Sequence, residues 1–238
     1  MKLKRFWDGL LDLLFPPKCP FCQQILEHPG ICEPCQLHLP YIEETPIREL
    51  GNGLRCAAPL WYEGDVREGL LRFKFRGART AAGPMGMLLA DIAAECFPGE
   101  FDTVTWVPVS KKRKRKRGYD QAELLARAAC RYWDTRPVRL LVKSTHNPAQ
   151  SGIHDDAARR ANVLGVYDPI REDRIAGHRI LLVDDICTTG STLGECARVL
   201  QEAGAESVVC VTVAQARKKP EAGRPCGGNT QETRTKSH

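Results

Sequence analysis

Two adjacent carboxylates followed by a hydroxyl-rich turn are the residues of this chain best suited to chemistry. Asp184 and Asp185 come directly after the apolar run 180–183, and a Thr/Gly/Ser segment follows them. Neighbouring carboxylates can accept hydrogen bonds from a vicinal diol and favour a nearby Mg²⁺. A glycine-containing turn with free N–H groups and hydroxyls can bind a phosphate. The sequence therefore predicts a sugar-phosphate site, with the phosphate held by Thr188, Thr189, Gly190, Ser191 and Thr192.

The flanking residues predict a strand–loop–helix unit around this site. Residues 180–183 are apolar and β-branched at both ends, which is typical of a strand buried in a parallel sheet. After the turn, Leu193, Cys196, Ala197 and Leu200 recur at helical spacing. Ligands of open α/β sheets bind beyond the carboxyl ends of the strands, so we expect the carboxylates and the turn at that edge.

Two other site classes also place aspartates after an apolar strand. A nucleoside triphosphatase needs a GxxxxGK[ST] loop, which this sequence lacks. A phospho-receiver domain carries its carboxylates near its first strand, whereas here little more than thirty residues follow before the polar tail. The sequence disfavours both classes.

Four cysteines near the N-terminus have the spacing of a metal site. Cys19, Cys22, Cys32 and Cys35 form two CxxC pairs separated by nine residues, in a segment rich in proline and glycine. Four thiolates suit tetrahedral Zn²⁺, and a segment this short has too little apolar surface to fold without a metal. A redox CxxC would accompany a thioredoxin-like βαβ pattern, which is missing here, and a reducing compartment disfavours disulfides. We therefore expect structural zinc.

The composition and the two ends of the chain set the remaining limits. The chain has 238 residues and eleven cysteines, and its N-terminus shows no secretory h-region, so we expect a cytoplasmic protein. Residues 1–18 predict an amphipathic helix that is too short to span a bilayer; it would dock on the protein or, alternatively, on a membrane surface. Residues 217–238 are polar and predicted to be disordered.

The middle of the chain predicts two unequal domains. Residues 19–55 form the expected zinc-binding module with its four cysteine ligands. Residues 56–216 alternate short apolar runs with amphipathic segments, which predicts a three-layer α/β domain with a mostly parallel sheet. Expected helices cover residues 66–75, 82–97 and 121–133, and expected strands cover residues 103–109 and 207–213.

An internal basic run accounts for the excess of positive charge. The chain carries 35 basic and 29 acidic residues, a formal charge of +6. Seven successive like charges after a strand predict a mobile loop at the ligand end of the sheet. That loop would neutralise a pyrophosphate or follow a nucleic-acid backbone. The residues of this predicted pyrophosphate or nucleic-acid loop are Lys111, Lys112, Arg113, Lys114, Arg115, Lys116, Arg117 and Tyr119.

Several segments together resemble a known family. ILLVDDICTTGST, residues 180–192, resembles the phosphoribosyl-pyrophosphate signature of type I phosphoribosyltransferases. Residues 107–126, residues 147–167 and the cysteine-rich N-terminus are similar to the ComF/GntX family, which joins a zinc finger to a phosphoribosyltransferase-like domain and is linked to DNA uptake in natural competence. Within the resemblance, residues 117–121 match R-G-[FY]-[ND]-Q, and the other matched positions are Gln150, Ser151, Gly152, Arg160 and Asn162.

The resemblance implies binding of phosphoribosyl pyrophosphate or a nucleotide together with Mg²⁺. If the chain is a phosphoribosyltransferase, pyrophosphate is displaced from C1 while Asp184 and Asp185 hold the ribose and support its developing positive charge. The sequence does not identify an acceptor, and whether the domain turns over or only binds stays open. The alternative is a non-catalytic accessory protein that handles single-stranded DNA through the basic loop, with the zinc module docking a helicase or an uptake protein.

Overall fold

The computed structural model describes residues 16–144 and 165–217. The main sheet contains β1 (Ile47–Glu49), β2 (Arg55–Ala57), β3 (Leu60–Trp61), β4 (Thr103–Trp106), β7 (Arg179–Cys187) and β8 (Ser207–Gln215). A two-stranded sheet contains β5 (Leu141–Lys143) and β6 (Tyr167–Pro169). The helices are α1 (Glu33–His38), α2 (Gly64–Phe75), α3 (Ala82–Cys96), α4 (Lys111–Arg117), α5 (Gln121–Tyr132) and α6 (Ser191–Glu202).

The main sheet is mostly parallel and is covered on both faces. Its order is β1–β2–β8–β7–β4, with β3 also pairing with β8, and β1 alone is antiparallel to its neighbour. On β7, Leu181 and Val183 face the cluster formed with α2, α3 and α5, whereas Ile180 and Leu182 face the cluster with α6. Apolar residues on both faces explain the unbroken apolar run. The predicted three-layer α/β fold is confirmed.

The expected helices agree with the structure to within a few residues, but two strands differ. The strand predicted to begin at Thr103 ends at Trp106 rather than at Val109. The strand predicted over residues 180–183 extends instead from Arg179 to Cys187, because its pairing with β8 continues to Cys187 opposite Gln215. The carboxylates therefore lie within β7 rather than in the turn after it.

The prediction of a mobile basic loop is wrong, because residues 111–117 form α4. The side chain of Ser110 caps this helix by accepting from the backbone N–H of Arg113 at 3.3 Å. Gly118, at φ 79°, ends the helix in the left-handed conformation that glycine adopts readily. Lysine and arginine are good helix formers, and the repulsion between them is not sufficient to unfold a helix capped at both ends.

The cysteine-rich segment packs tightly against the larger domain through α2. The carbonyl oxygen of Pro20 lies so close to Gly69 that a Cβ at Gly69 would come within 2.6 Å of it. The Arg72 guanidinium donates to the carbonyl oxygens of Pro20 and Phe21. Residues 47–55, expected within the zinc module, include β1 and the start of β2 at the edge of the main sheet. The two parts therefore share a continuous core.

Some expectations concern residues that the structure does not describe. These are the first fifteen residues of the expected N-terminal helix, the tail beyond residue 217, and the matched positions Gln150, Ser151, Gly152, Arg160 and Asn162. Within residues 16–144 and 165–217, no helix combines the length and the apolar character needed to cross a membrane.

Candidate functional site

The four N-terminal cysteines converge on one point. The sulfur atoms of Cys19, Cys22, Cys32 and Cys35 all lie within 4.8 Å of one another, and only Cys22 is exposed. Burial would raise the pKa of Cys19, but backbone N–H groups, that of Cys22 first, lower it to about 7. Four thiolates in this arrangement match the ligand set of tetrahedral zinc and leave no position for a substrate. The donor set therefore fits a structural zinc ion.

The two aspartates of β7 have different surroundings. Asp185 is buried, and its Oδ1 lies 3.0 Å from the Nζ of Lys74, which α2 brings across the site. Asp184 is half-buried and accepts the backbone N–H of Asp185 at 2.8 Å. Burial, and then the charge of Asp185, raises the pKa of Asp184 well above its usual value. One carboxylate thus has a cation partner, and its neighbour is held where its ionisation is costly.

The turn after β7 is held from below by the chain between β1 and β2. Gly190 has φ 79°, and a Cβ there would come within 2.6 Å of the Leu50 side chain. The Arg48 guanidinium donates to the carbonyl oxygen of Thr188 at 3.2 Å and also to that of Ala216. The hydroxyls of Thr189 and Ser191 lie 2.8 Å apart. These contacts hold the turn at the N-terminus of α6, the part of a helix that favours an anion.

One cavity of about 340 Å³ joins these groups. Asp184, Asp185, Thr188 and Thr192 line one side of it, and the chain at residues 107–109 lines another. Arg113 and Arg117, on α4, complete the wall. The predicted residues Thr189, Gly190 and Ser191 form the turn but do not line this cavity. Four of the predicted basic residues on α4 do not line it either, namely Lys111, Lys112, Lys114 and Arg115.

The remaining residues of the predicted basic loop face elsewhere. Lys116 and Tyr119 line a second cavity next to the first. The Tyr119 ring is almost fully buried, and its hydroxyl donates to the carbonyl oxygen of Phe73. Asp120 is buried too; it caps α5 and accepts the Val109 N–H at 3.1 Å. Tyr119 and Asp120 therefore hold α4 and the 107–109 segment in place.

The structure adds three residues that the sequence analysis missed. Lys74, Lys143 and Tyr167 all line the first cavity, and the Lys143 Nζ lies 3.1 Å from the Tyr167 hydroxyl. Burial, and then the charge of Arg113, lowers the pKa of Lys143. Lys74 sits between two phenylalanines in the sequence Phe-Lys-Phe, which is a weak signal of a lysine drawn toward the interior. Nothing in the pattern around residue 143 distinguishes it.

Two protein families match the chain. The phosphoribosyl transferase domain matches residues 100–226, and the double zinc ribbon domain matches residues 10–64. The first covers the carboxylates, the turn and α4, and the second covers all four clustered cysteines.

Curated relatives extend over most of the chain. Competence protein ComFC of Bacillus subtilis is 27% identical over 186 residues, covering 78% of this chain and 72% of that protein. Competence protein F of Haemophilus influenzae is 28% identical over 204 residues, covering 80% and 86% respectively. DNA utilization protein YhgH of Escherichia coli K12 is 30% identical over 111 residues, covering 45% of this chain and 46% of that protein. These similarities confirm the resemblance to the ComF/GntX family.

A solved structure also matches part of the chain. The glutamine phosphoribosylpyrophosphate amidotransferase of B. subtilis, in a complex with ADP and GMP, aligns with 59% of this chain and 30% of its own, with 19% identity and a TM-score of 0.41.

Proposed function

This chain belongs to the family of phosphoribosyl transferase domains, and on that premise we propose that the first cavity binds phosphoribosyl pyrophosphate or a nucleotide. The observation that carries the proposal is the meeting of two carboxylates, a phosphate-type turn and two arginines around one space of about 340 Å³. Such a space suits a small polar ligand with a diol at one end and anionic groups at the other.

Each group in the cavity has a role that follows from its chemistry. Asp184 and Asp185 accept hydrogen bonds from the ribose hydroxyls. Thr188 and Thr192 donate to the phosphate, together with N–H groups at the start of α6. Arg113 and Arg117 stabilise negative charge on a departing pyrophosphate. Displacement at C1 requires no protein nucleophile, because positioning and electrostatics supply the rate.

The carboxylate pair also fits a magnesium ion. Asp185 already accepts a cation, the Lys74 ammonium, at 3.0 Å. Asp184 and Asp185 would hold Mg²⁺, directly or through water, and the ion would neutralise charge on the pyrophosphate. Lys74 would then release Asp185 and remain beside the anionic part of the ligand.

Calorimetry with phosphoribosyl pyrophosphate and Mg²⁺ tests this proposal. We expect the double substitution Asp184→Asn/Asp185→Asn to weaken binding at least tenfold, since it removes both acceptor carboxylates. A matched control is Asp168→Asn, an exposed aspartate on β6 that lines neither cavity. Equal affinity of the double variant and the control would refute the proposal.

A second candidate function rests on α4. None of its residues is buried, and it carries seven cationic side chains on about two helical turns. The relatives include competence proteins and a DNA utilization protein. We therefore propose, as the alternative, that the chain serves DNA uptake by binding single-stranded DNA through α4, without turnover.

Salt dependence distinguishes this alternative. Binding through phosphate contacts weakens steeply as salt concentration rises, because condensed counterions are released. Replacing Lys111, Lys112 and Arg115 by glutamine removes three cationic side chains that lie outside both cavities. If α4 binds DNA, the variant should bind an oligothymidine more weakly and with a shallower salt slope, while its affinity for phosphoribosyl pyrophosphate is unchanged. An unchanged salt slope would exclude the role of α4.

A further inference from the structure

Strand β1 brings an arginine to the turn that carries the expected phosphate-binding groups. Among the strands of the main sheet that the structure describes, β1 alone runs antiparallel to its neighbour, and it pairs with β2 at the edge of the sheet. Arg48 lies at the centre of β1. Thr188, in the turn, comes 140 residues later in the chain, so β1 supplies a contact that the sequence of the turn does not contain.

The Arg48 guanidinium joins the turn to the end of β8. Its Nη1 donates to the carbonyl oxygen of Thr188 at 3.2 Å, and its Nη2 donates to that of Ala216, the residue after β8. A cation on the Thr188 carbonyl oxygen polarises the peptide group that follows, which makes the N–H of Thr189 a stronger donor within the turn. Arg48 therefore acts both on the position of the turn and on its attraction for an anion.

No carboxylate offsets the positive charge of Arg48. Both of its acceptors are neutral carbonyl groups, and none of the ion pairs within residues 16–144 and 165–217 involves it. Its charge reaches the end of β7, because the pKa of the Cys187 thiol is lowered, first by a hydrogen bond from Cys56 and further by Arg48, although burial raises it. A half-buried cation without a carboxylate partner favours an anion bound at the turn.

The two candidate functions would bring different phosphates to this turn. The terminal phosphate of a ribose phosphate is a monoester with about 1.5 to 2 negative charges at pH 7. Each phosphate of a nucleic-acid backbone is a diester with one negative charge. Because the attraction between two charges is proportional to each of them, a cation beside the turn favours the monoester.

We propose that Arg48 is a positioning residue that makes the turn selective for a phosphate monoester over a phosphodiester. It holds the carbonyl group of Thr188 and adds a positive charge beside the turn. Leu50, two residues further along, fills the space beside Gly190, where a Cβ would come within 2.6 Å of its side chain. This role rests on the proposed function, since it assumes that the turn binds a ribose phosphate.

Titration of the full chain with ribose 5-phosphate and with its methyl phosphodiester, both with Mg²⁺, tests the selectivity. We expect the parent chain to bind the monoester about tenfold more tightly than the diester. Arg48→Met should weaken binding of the monoester about tenfold and that of the diester no more than about threefold, so the selectivity falls. Arg48→Lys keeps the charge and should restore most of the selectivity, which a purely structural contact would not explain.

The matched control is Arg55→Met on β2, the strand next to β1. The Arg55 guanidinium pairs with Glu100, and Arg55 lines neither cavity. This variant should therefore bind both probes within about twofold of the parent chain. Urea unfolding of the three variants shows whether a loss of binding reflects a loss of the fold.

The possible results separate this role from the proposed function. Equal weakening of both probes in Arg48→Met would overturn the proposal, because Arg48 would then support the turn without affecting its selectivity. Unchanged binding in Arg48→Met, or equal affinity of the parent chain for the two probes, would overturn it as well. If the parent chain binds neither probe, the turn does not bind a ribose phosphate and the role of Arg48 is refuted. Calorimetry with phosphoribosyl pyrophosphate then decides whether the proposed function fails too.

Discussion

The zinc module and the ligand edge of the sheet both hold like-charged groups together, but by opposite means. In the module, four cysteine sulfurs converge from a segment with one short helix, and a bound zinc ion would offset the repulsion between their thiolates. At the sheet edge, Asp184 and Asp185 are held by the pairing of β7 with β8, and a lysine from another helix offsets the charge of one of them. We expect the module to depend on its ion for order, whereas the pairing of β7 with β8 orders the edge of the sheet.

The comparison explains why the two regions respond differently to change. Substitutions in the module should affect folding first, and those at the sheet edge should affect binding first. A change in the module can affect α2, and through α2 the ligand edge, at the contact between Pro20 and Gly69.

The largest effect should follow loss of the metal. Cys35→Ser removes a buried ligand, and zinc sites of this class contribute on the order of 10 kcal/mol to the folding of their modules. We expect residues 16–46 to lose protection from hydrogen exchange and the chain to lose its zinc, while β7 and β8 stay protected. Metal analysis with hydrogen exchange measures both. Simultaneous loss of protection in β7 would contradict the comparison.

The contact between the regions should come next. A side chain at Gly69 would meet the Pro20 carbonyl oxygen at 2.6 Å, so Gly69→Val should destabilise the chain by about 2–3 kcal/mol. Gly194→Ala in α6 is the control, because a Cβ there meets nothing within 4 Å and alanine favours helix. Urea unfolding compares the two variants. If the two variants are equally stable, the contact between the module and α2 does not contribute to the stability of the chain.

At the ligand edge of the sheet, we expect a substitution that increases the stability of the chain, unlike the two before it. Because burial raises the pKa of Asp184 in the folded state, this carboxyl group ionises less readily there than in the unfolded chain. The stability of the wild type therefore falls as the pH rises from about 4 toward neutrality. Asp184→Asn should therefore be more stable by about 1–2 kcal/mol at pH 7, with no gain near pH 4. Urea unfolding at the two pH values measures this. A less stable variant at pH 7 would show that the charge is well accommodated.

The smallest expected effect concerns α4. Because α4 buries none of its residues, its order depends on its caps, and Ser110→Ala should cost about 1 kcal/mol of local stability. Ser110→Asn keeps a capping acceptor and serves as the control. Hydrogen exchange of the amides at residues 113–117 reports the difference. Equal exchange in the two variants would mean that Gly118 and the contacts of Asp120 hold the helix without Ser110.

The sequence predicted those parts of the molecule whose signal is local. CxxC spacing identified the four cysteines that converge, and the apolar run followed by aspartates and hydroxyls identified the edge of β7. The length of β7 was missed, because it depends on pairing with β8 rather than on its own polarity.

Two other features of the site depend on contacts that a local pattern does not contain. Charge repulsion predicted a loop at residues 111–117, but Ser110, Gly118 and the ion pair between Lys114 and Glu123 at 2.9 Å favour a helix. Lys74 was missed because its partner lies more than a hundred residues away in the chain. Tertiary contacts of this kind override local propensity.

The Lys74–Asp185 pair makes occupation of this cavity an exchange reaction. A ligand or cation that binds the buried Asp185 carboxylate must first displace the Lys74 ammonium group. A weakly binding monovalent cation therefore competes poorly for this position. The displaced ammonium group remains attached to α2 and can turn toward the anionic end of the ligand. The protein thus carries its own replaceable counterion, and the resting pocket never exposes the full negative charge of its two acids.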